Sequence, residues 1–230
     1  MAIDETREFK PINIAVLTVS DTRGPDEDTS GDLLAERIKA AGHRLAARAI
    51  EKDDADVIAR RFNNWIDDPE IDAIVSTGGT GLTGRDVTPE AIDRVKEKTI
   101  EGFGELFRWV SYQTIGTSTV QSRACAAVSR GTYIFALPGS NGAVKDGWDR
   151  ILAEQLDSRN RPCNFVELMP RLATQVAFFF AQDGAVDPPA TVTVDVAGWE
   201  WQRRFGSDNL AWVGPTVVAT LDVAVTEGRE

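Results

Sequence analysis

The stretch from Ser76 to Pro89 reads Ser-Thr-Gly-Gly-Thr-Gly-Leu-Thr-Gly-Arg-Asp-Val-Thr-Pro, with four glycines and no apolar face to pack. Glycine there lets the backbone approach a ligand closely and turn its N–H groups toward an anion. Asp86 stands beside that cradle, where a bare carboxylate would repel the same anion. A divalent cation between the two resolves the conflict, so these residue types suggest a phosphate held together with magnesium. Ahead of the loop, Ile71 to Val75 is apolar and partly β-branched and reads as a buried strand. Behind it, Thr88 and Pro89 read as the N-cap and first residue of a helix reaching Lys98.

Other phosphate loops fit less well. Gly79-x-Gly81-x-x-Gly84 matches the dinucleotide fingerprint letter by letter, but that fingerprint needs its helix to open at the glycines. No Gly-Lys-Ser/Thr follows, which excludes a Walker-type loop. Loop composition alone equally allows a plain glycine-rich connection with an ordinary N-cap carboxylate.

Composition narrows the chemistry. The chain has 230 residues, enough for one domain or one domain with an appendage, and a net charge of −11. That charge argues against nucleic acid or an anionic membrane surface as partner. Cys125 and Cys163 form no C-x-x-C pair, so a reducing compartment and no structural zinc are expected. The first ten residues lack the apolar core of a signal peptide, and the run from Val176 to Ala181 is too short to span a bilayer. A cytoplasmic location is the expectation. The one histidine, His43, follows Gly42 at a helix end and reads as a surface or capping residue. Triads built on histidine therefore have almost no material, and chemistry must rest on carboxylates, hydroxyls, backbone and metal.

The elements that must position these residues alternate between strand and helix. Ile12 to Val19 is a nearly continuous apolar run of the kind buried on both faces of a parallel sheet, ending in Ser20-Asp21-Thr22-Arg23. A helix from Asp32 to Ala41 follows, then a strand from Arg44 to Ile50 that leads to Asp53. Ala55 to Ile66 carries a helical stripe, stopped at Asp67-Asp68-Pro69. Gly102-Phe103-Gly104 predicts a break before another helix through Tyr112, and Ser118 with Gln121 predicts the capping box of a helix ending near Gly131. Thr132 to Leu137 is a strand, followed by Pro138-Gly139-Ser140 and a helix from Ala143 to about Leu156. The fold class is therefore α/β. In a right-handed parallel sheet the loops at Gly78 and Gly139 emerge at one edge, together with Ser20 and Asp53. That convergence favours a phosphate-handling site over unrelated connecting loops.

Three segments carry a resemblance to a known family: Ile-Ala-Val-Leu-Thr-Val-Ser-Asp-Thr-Arg at 14–23, Thr-Gly-Gly-Thr-Gly-Leu-Thr-Gly-Arg-Asp-Val-Thr-Pro-Glu-Ala at 77–91, and Leu-Pro-Gly-Ser at 137–140. They resemble the molybdenum cofactor biosynthesis protein B family (MoaB/MogA type). Segments 102–108, 116–124 and 155–165 are similar to the B branch in particular. The resemblance covers about residues 10 to 168 and implies a three-layer α/β/α domain with a mostly parallel sheet, assembled as a homo-oligomer, a trimer or hexamer. It further implies Mg²⁺-dependent transfer of AMP from ATP to the phosphate of molybdopterin, with release of pyrophosphate. By the same resemblance Asp53 and Asp86 are the essential carboxylates and magnesium holders. Gly78, Gly79, Thr80 and Gly81 cradle the nucleotide phosphates, and Gly139 and Ser140 help hold the nucleotide. Thr117, Ser118 and Ser20 suit the pterin phosphate, with Lys145 and Arg85 as candidate cations. The alternative is a scaffold of the same fold that binds molybdopterin without turnover. The aromatic residues Phe103, Phe107, Trp109 and Tyr112 are candidate contacts between subunits.

The resemblance ends near residue 168, so the expected organisation is a molybdopterin-binding domain over 1–168 and a β-rich extension over 169–230. In the extension, Ala190 to Val196 and Pro215 to Val225 read as strands, with Trp199, Trp201 and Trp212 between or beside them. The expected role there is packing on the domain or on a neighbouring subunit.

Overall fold

Along Asn13–Val19 (β1) alternate side chains enter two different cores. Ile14 and Val16 join Leu34, Ile38, Phe103, Phe107 and Trp148 on one face. Ala15, Leu17 and Val19 join Ile58, Phe62, Trp65, Ile92 and Ile134 on the other. The period-two alternation of a strand thus explains why an uninterrupted apolar run is needed: both faces are covered by helices.

A computed structural model describes residues 3–172, 191–196 and 199–204. Its six-stranded sheet has the order β2-β1-β3-β6-β5-β4, from Arg44–Glu51 (β2), β1, Ala73–Thr77 (β3), Thr132–Leu137 (β6), Cys125–Ser129 (β5) and Lys98–Thr99 (β4). The pairs β2–β1, β1–β3 and β3–β6 are parallel, whereas β6–β5 and β5–β4 are antiparallel. Thr29–Ala40 (α1), Glu101–Ile115 (α4) and Asn141–Gly147 (α5) cover one face; Ala55–Ile66 (α2) and Thr88–Val95 (α3) cover the other. A π-helical turn at Trp148–Leu152 carries α5 into the short α6 (Ala153–Gln155), and α7 spans Phe165–Leu172. This is the expected three-layer α/β/α arrangement with a mostly parallel sheet. Because β2 and β3 lie on opposite sides of β1, the strand order reverses there, and a crevice opens at the carboxyl ends of β1 and β3.

Four local expectations are corrected. The helix expected to end at Gly131 is a 3-10 turn, Gly116–Gln121, followed by strand β5, because Ala126 and Ala127 pair with β6 rather than coil. Gly102 and Gly104 do not break the chain but lie inside α4, where Ala124 O would sit 2.6 Å from a Cβ on Gly104. The helix after the glycine loop starts with Val87 as cap and ends at Val95, and the Thr88 hydroxyl turns back to the loop instead of capping. His43 is buried, between Phe9 and the edge of Trp148, and its Nδ1 accepts the Ile12 N–H at 3.3 Å. Burial holds its pKa below the usual histidine value, although Asp157 pulls it upward.

Of the four aromatic residues proposed as contacts, Phe103 and Phe107 are core, while Trp109 and Tyr112 are 61% and 57% exposed. Among the described residues no helix is long and apolar enough to cross a membrane. The chain divides into two units, Met1–Thr174 and Gln175–Glu230. In the second, Thr191–Val196 (β7) and Trp199–Arg204 (β8) form an antiparallel hairpin. The strand partner of β7 is thus the segment that holds Trp199 and Trp201; the strand expected at 215–225 lies outside the described residues, as does Trp212.

Candidate functional site

Strand β3 ends in Gly78 and Gly79 with φ of +106° and +64°, a left-handed turn that folds the chain back over the carboxyl edge. Close approach also demands glycine here. A Cβ on Gly78 would lie 2.1 Å from Val19 O, and one on Gly79 would lie 2.4 Å from Thr88 Oγ1 and 2.8 Å from Asp53 Oδ1. One on Gly81 would lie 2.8 Å from Asp86 Oδ2. The two candidate carboxylates, one just past strand β2 and one in the loop after β3, therefore flank the same glycine turn. Gly139 joins them: a Cβ there would stand 3.1 Å from the Cα of Gly78, so the loops after β3 and β6 touch.

The two carboxylates differ in their surroundings. Asp86 Oδ2 accepts the Thr83 N–H at 2.8 Å and the Thr83 hydroxyl at 2.6 Å. Burial pushes its pKa upward, but the Thr83 donors, the Gly81 N–H and the Arg123 guanidinium outweigh it, and the carboxyl lies below its usual range. Asp53 has its pKa raised, first by burial, then by the charges of Asp21 and Asp86, with Arg85 opposing. Its backbone N–H donates to Asp21 Oδ1 at 3.4 Å, and Arg85 pairs with Asp21 at 2.5 Å. An open depression of about 370 Å³ borders this acid cluster, lined by Ser20, Asp21, Arg23, Ile50, Glu51, Lys52 and Val57.

The other expected residues are less uniformly gathered. Ser20 follows β1 and accepts the N–H groups of Thr22 and Arg23. Ser140 caps α5, accepting the Ala143 N–H. Thr80 is buried, next to the glycine turn. Lys145 is exposed on α5. Thr117 and Ser118 lie exposed in the 3-10 turn, not at the start of a long helix; their chain continues to Arg123, whose N–H donates to Thr80 O at 3.0 Å.

Three residues escaped the sequence reading. Arg123 holds the glycine loop, with Nε donating to Gly81 O at 2.7 Å, Nη2 to Asp86 O, and Nη1 paired with Glu90. Arg23 spans the crevice from the buried Ser30 hydroxyl to Gly139 O, at 3.0 Å each. Asp21 links Asp53 to Arg85. The sequence signal of Asp21 and Arg23 was their place at the carboxyl end of the first strand, and that of Arg123 was membership in a segment that carried the resemblance. Among the described residues no group of three or more acid, histidine or cysteine side chains is placed to hold a metal ion by itself.

Residues 15–158 match the family described as "Probable molybdopterin binding domain". The chain is 48% identical over 158 residues to molybdenum cofactor biosynthesis protein B of Escherichia coli (strain K12), covering 69% of this chain and 93% of that one. It is 40% identical over 159 residues to the protein of the same name from Bacillus subtilis (strain 168), covering 68% and 94%. A crystal structure of a molybdenum cofactor biosynthesis protein B superposes with a TM-score of 0.66 at 35% identity, covering 74% of this chain and all of that one, at 100%. The tungsten cofactor synthesizing protein MoaB from Pyrococcus furiosus superposes with a TM-score of 0.60 at 34% identity, covering 71% and 98%. The matched family model, the identity to its relatives and the shared fold lead to one conclusion: this chain belongs to the molybdenum cofactor biosynthesis protein B family.

Proposed function

We propose that this chain acts in molybdenum cofactor biosynthesis by binding molybdopterin and transferring AMP from ATP to its phosphate, with Mg²⁺. The observation that carries this reading is the meeting of Asp53 and Asp86 on one glycine turn, with the Asp53 pKa raised by burial and by the charges of Asp21 and Asp86. The family description and the names of the relatives point to the pterin. In the reaction an oxygen of the pterin phosphate attacks the α-phosphorus of ATP. The bond from that phosphorus to the bridging oxygen breaks, and pyrophosphate leaves with the electron pair.

A phosphate nucleophile is already ionised near neutral pH, so no general base is required, which suits a chain whose one histidine is buried in a core. What the protein must do is align the phosphates and neutralise their charge. Asp53 and Asp86 would hold magnesium, whose contribution is to offset charge on the phosphates. Two carboxylates without a closed cage suit that ion, which is typically held by one or two carboxylates plus phosphate oxygens and water. Gly78 to Gly81 with Thr80 would receive the nucleotide phosphates, beside Gly139 and Ser140. Thr117, Ser118 and Ser20 are assigned to the pterin phosphate.

Assembly into a trimer or hexamer belongs to the same proposal. Leu106, Trp109, Tyr112 and Ile115 leave an apolar stripe exposed along α4, which a second copy would cover. Light scattering that shows only monomer at micromolar concentration would remove it. The activity is tested by pyrophosphate release from ATP on adding molybdopterin, with and without Mg²⁺. Release that needs both supports the transfer. Tight molybdopterin binding without release would replace it with the scaffold reading.

A further inference from the structure

We propose that Arg123 is a positioning residue that sets the polarity of the glycine loop, engaging its carbonyl oxygens so that the N–H groups of Gly79 and Thr80 are left for a phosphate. The inference rests on the phosphate-binding reading above. Any loop carries as many carbonyls as amides, and a carbonyl oxygen turned toward a phosphate repels it. A glycine-rich turn is free to present either.

Here the carbonyls around the glycine turn are engaged by the protein itself. Gly78 O accepts the Thr88 hydroxyl at 2.9 Å, and Gly79 O accepts the Thr88 N–H at 3.0 Å. Three more belong to Arg123: its own N–H takes Thr80 O, its Nε takes Gly81 O and its Nη2 takes Asp86 O. Its remaining nitrogen, Nη1, pairs with Glu90. All three guanidinium nitrogens are thus committed within the protein, which fits the role of a brace better than that of a cation offered to the ligand.

The Gly81 and Thr83 N–H groups go to Asp86, but two amides at the head of the turn are left over. Among the described residues the N–H groups of Gly79 and Thr80 donate to no protein group, although Thr80 is only 2% exposed. A buried amide without a partner is rare in a folded protein. An anion seated in the turn would satisfy both. Arg123 lies ahead of β5, so the brace ties the antiparallel side of the sheet to the loop that follows β3. The planar fork spreads its donors over three nitrogens and so meets two carbonyls and a carboxylate that lie apart; an ammonium gathers its donors on one nitrogen.

The test uses the full chain, with Arg123→Lys, Arg123→Ala and Glu90→Gln. The probe is α,β-methylene-ATP with Mg²⁺, and binding is read by calorimetry. Amide exchange of Thr83, Asp86 and Thr88 is measured in the ligand-free protein. Arg123→Lys should weaken the probe by at least about tenfold and speed those amides by about the same factor, because a lysine keeps the charge but not the fork. Millimolar guanidinium should restore part of the binding in Arg123→Ala, which loss of structure alone would not allow. Glu90→Gln, which keeps an acceptor oxygen, should stay within about threefold of the parent. Parent-like binding and exchange in Arg123→Lys would overturn the proposal, and if Arg123→Ala does not fold, that variant decides alone. If the parent chain itself binds no probe, the nucleotide reading falls, and the exchange rates separately decide whether Arg123 braces the loop.

Discussion

Asp53 reaches the crevice from the end of β2, and Asp86 reaches it from within the loop that follows β3. Asp86 is held by donors on its own loop, two from Thr83, and is kept ionised. Asp53 has near it two other acids and one arginine, and that arginine is itself paired with Asp21. The same residue type is therefore used twice for different ends. One carboxylate shapes the loop as well as facing it; the other is left under repulsion that a divalent cation would relieve.

The largest test of this contrast is turnover. Asp86→Asn and Asp53→Asn should each lower Mg²⁺-dependent pyrophosphate release by at least about a hundredfold, in line with loss of one electrostatic contributor. Near-normal release in either variant would strip that residue of its metal role. A single-site loss would show that only one of the two regions handles the ion.

Next in size is the point where the two regions touch. Gly79→Ala forces a side chain into φ +64° and against both Thr88 Oγ1 and Asp53 Oδ1. It should cost about 1–3 kcal/mol of unfolding free energy. Gly84, in the same loop, has nothing within 4 Å of an added Cβ, and Gly84→Ala should stay within about 0.5 kcal/mol of the parent. Equal losses in urea melts would mean that the loop, and not the junction with Asp53, sets the requirement for glycine.

Much of this was legible in the sequence, and the failures have physical causes. Strands β1 and β6 announce themselves through short apolar runs between turn signals, and the stripe of α2 marks both of its ends. The antiparallel edge is harder. Cys125–Ser129 is alanine-rich, and alanine favours helix locally, yet pairing with β6 decides the outcome. His43 sits beside a helix-ending glycine, which looks exposed until Phe9 and Trp148 close over it. The glycine loop and both carboxylates could be read because each ends or follows a recognisable strand. Arg123 could not, since it stands 42 residues from Gly81 and by itself looks like a solvated charge.

A smaller effect probes how Asp86 is held. Thr83→Val keeps the N–H that bonds to Oδ2 and removes the hydroxyl that does the same. The expected loss is about 1 kcal/mol, with the Asp86 carboxyl moving up toward its ordinary range in a carbon-detected titration. An Asp86 titration unchanged from the parent would leave Thr83 without a role in the contrast.

The smallest effect is a slope against pH. Asp53 holds its proton more tightly in the folded chain than in the unfolded one, where its pKa is near 3.8. Between that value and the raised folded value, the folded state carries the extra proton. Its contribution to stability is therefore fully present below 3.8 and lost as pH rises through the folded value. Asp86 has the opposite sign. Its folded pKa lies below 3.8, so its contribution is present above 3.8 and lost as pH falls through the folded value. Without metal, Asp53→Asn should accordingly be slightly more stable than the parent at neutral pH, with the gap closing in acid. Mg²⁺ should reverse the order by stabilising the parent alone, since an ion that binds only the folded state adds to its stability. Urea melts across the acid range, with and without Mg²⁺, read both signs. A parent and an Asp53→Asn variant that share one slope and one response to Mg²⁺ would show that the carboxylate at the end of β2 is under no electrostatic stress, and the contrast with Asp86 would be lost.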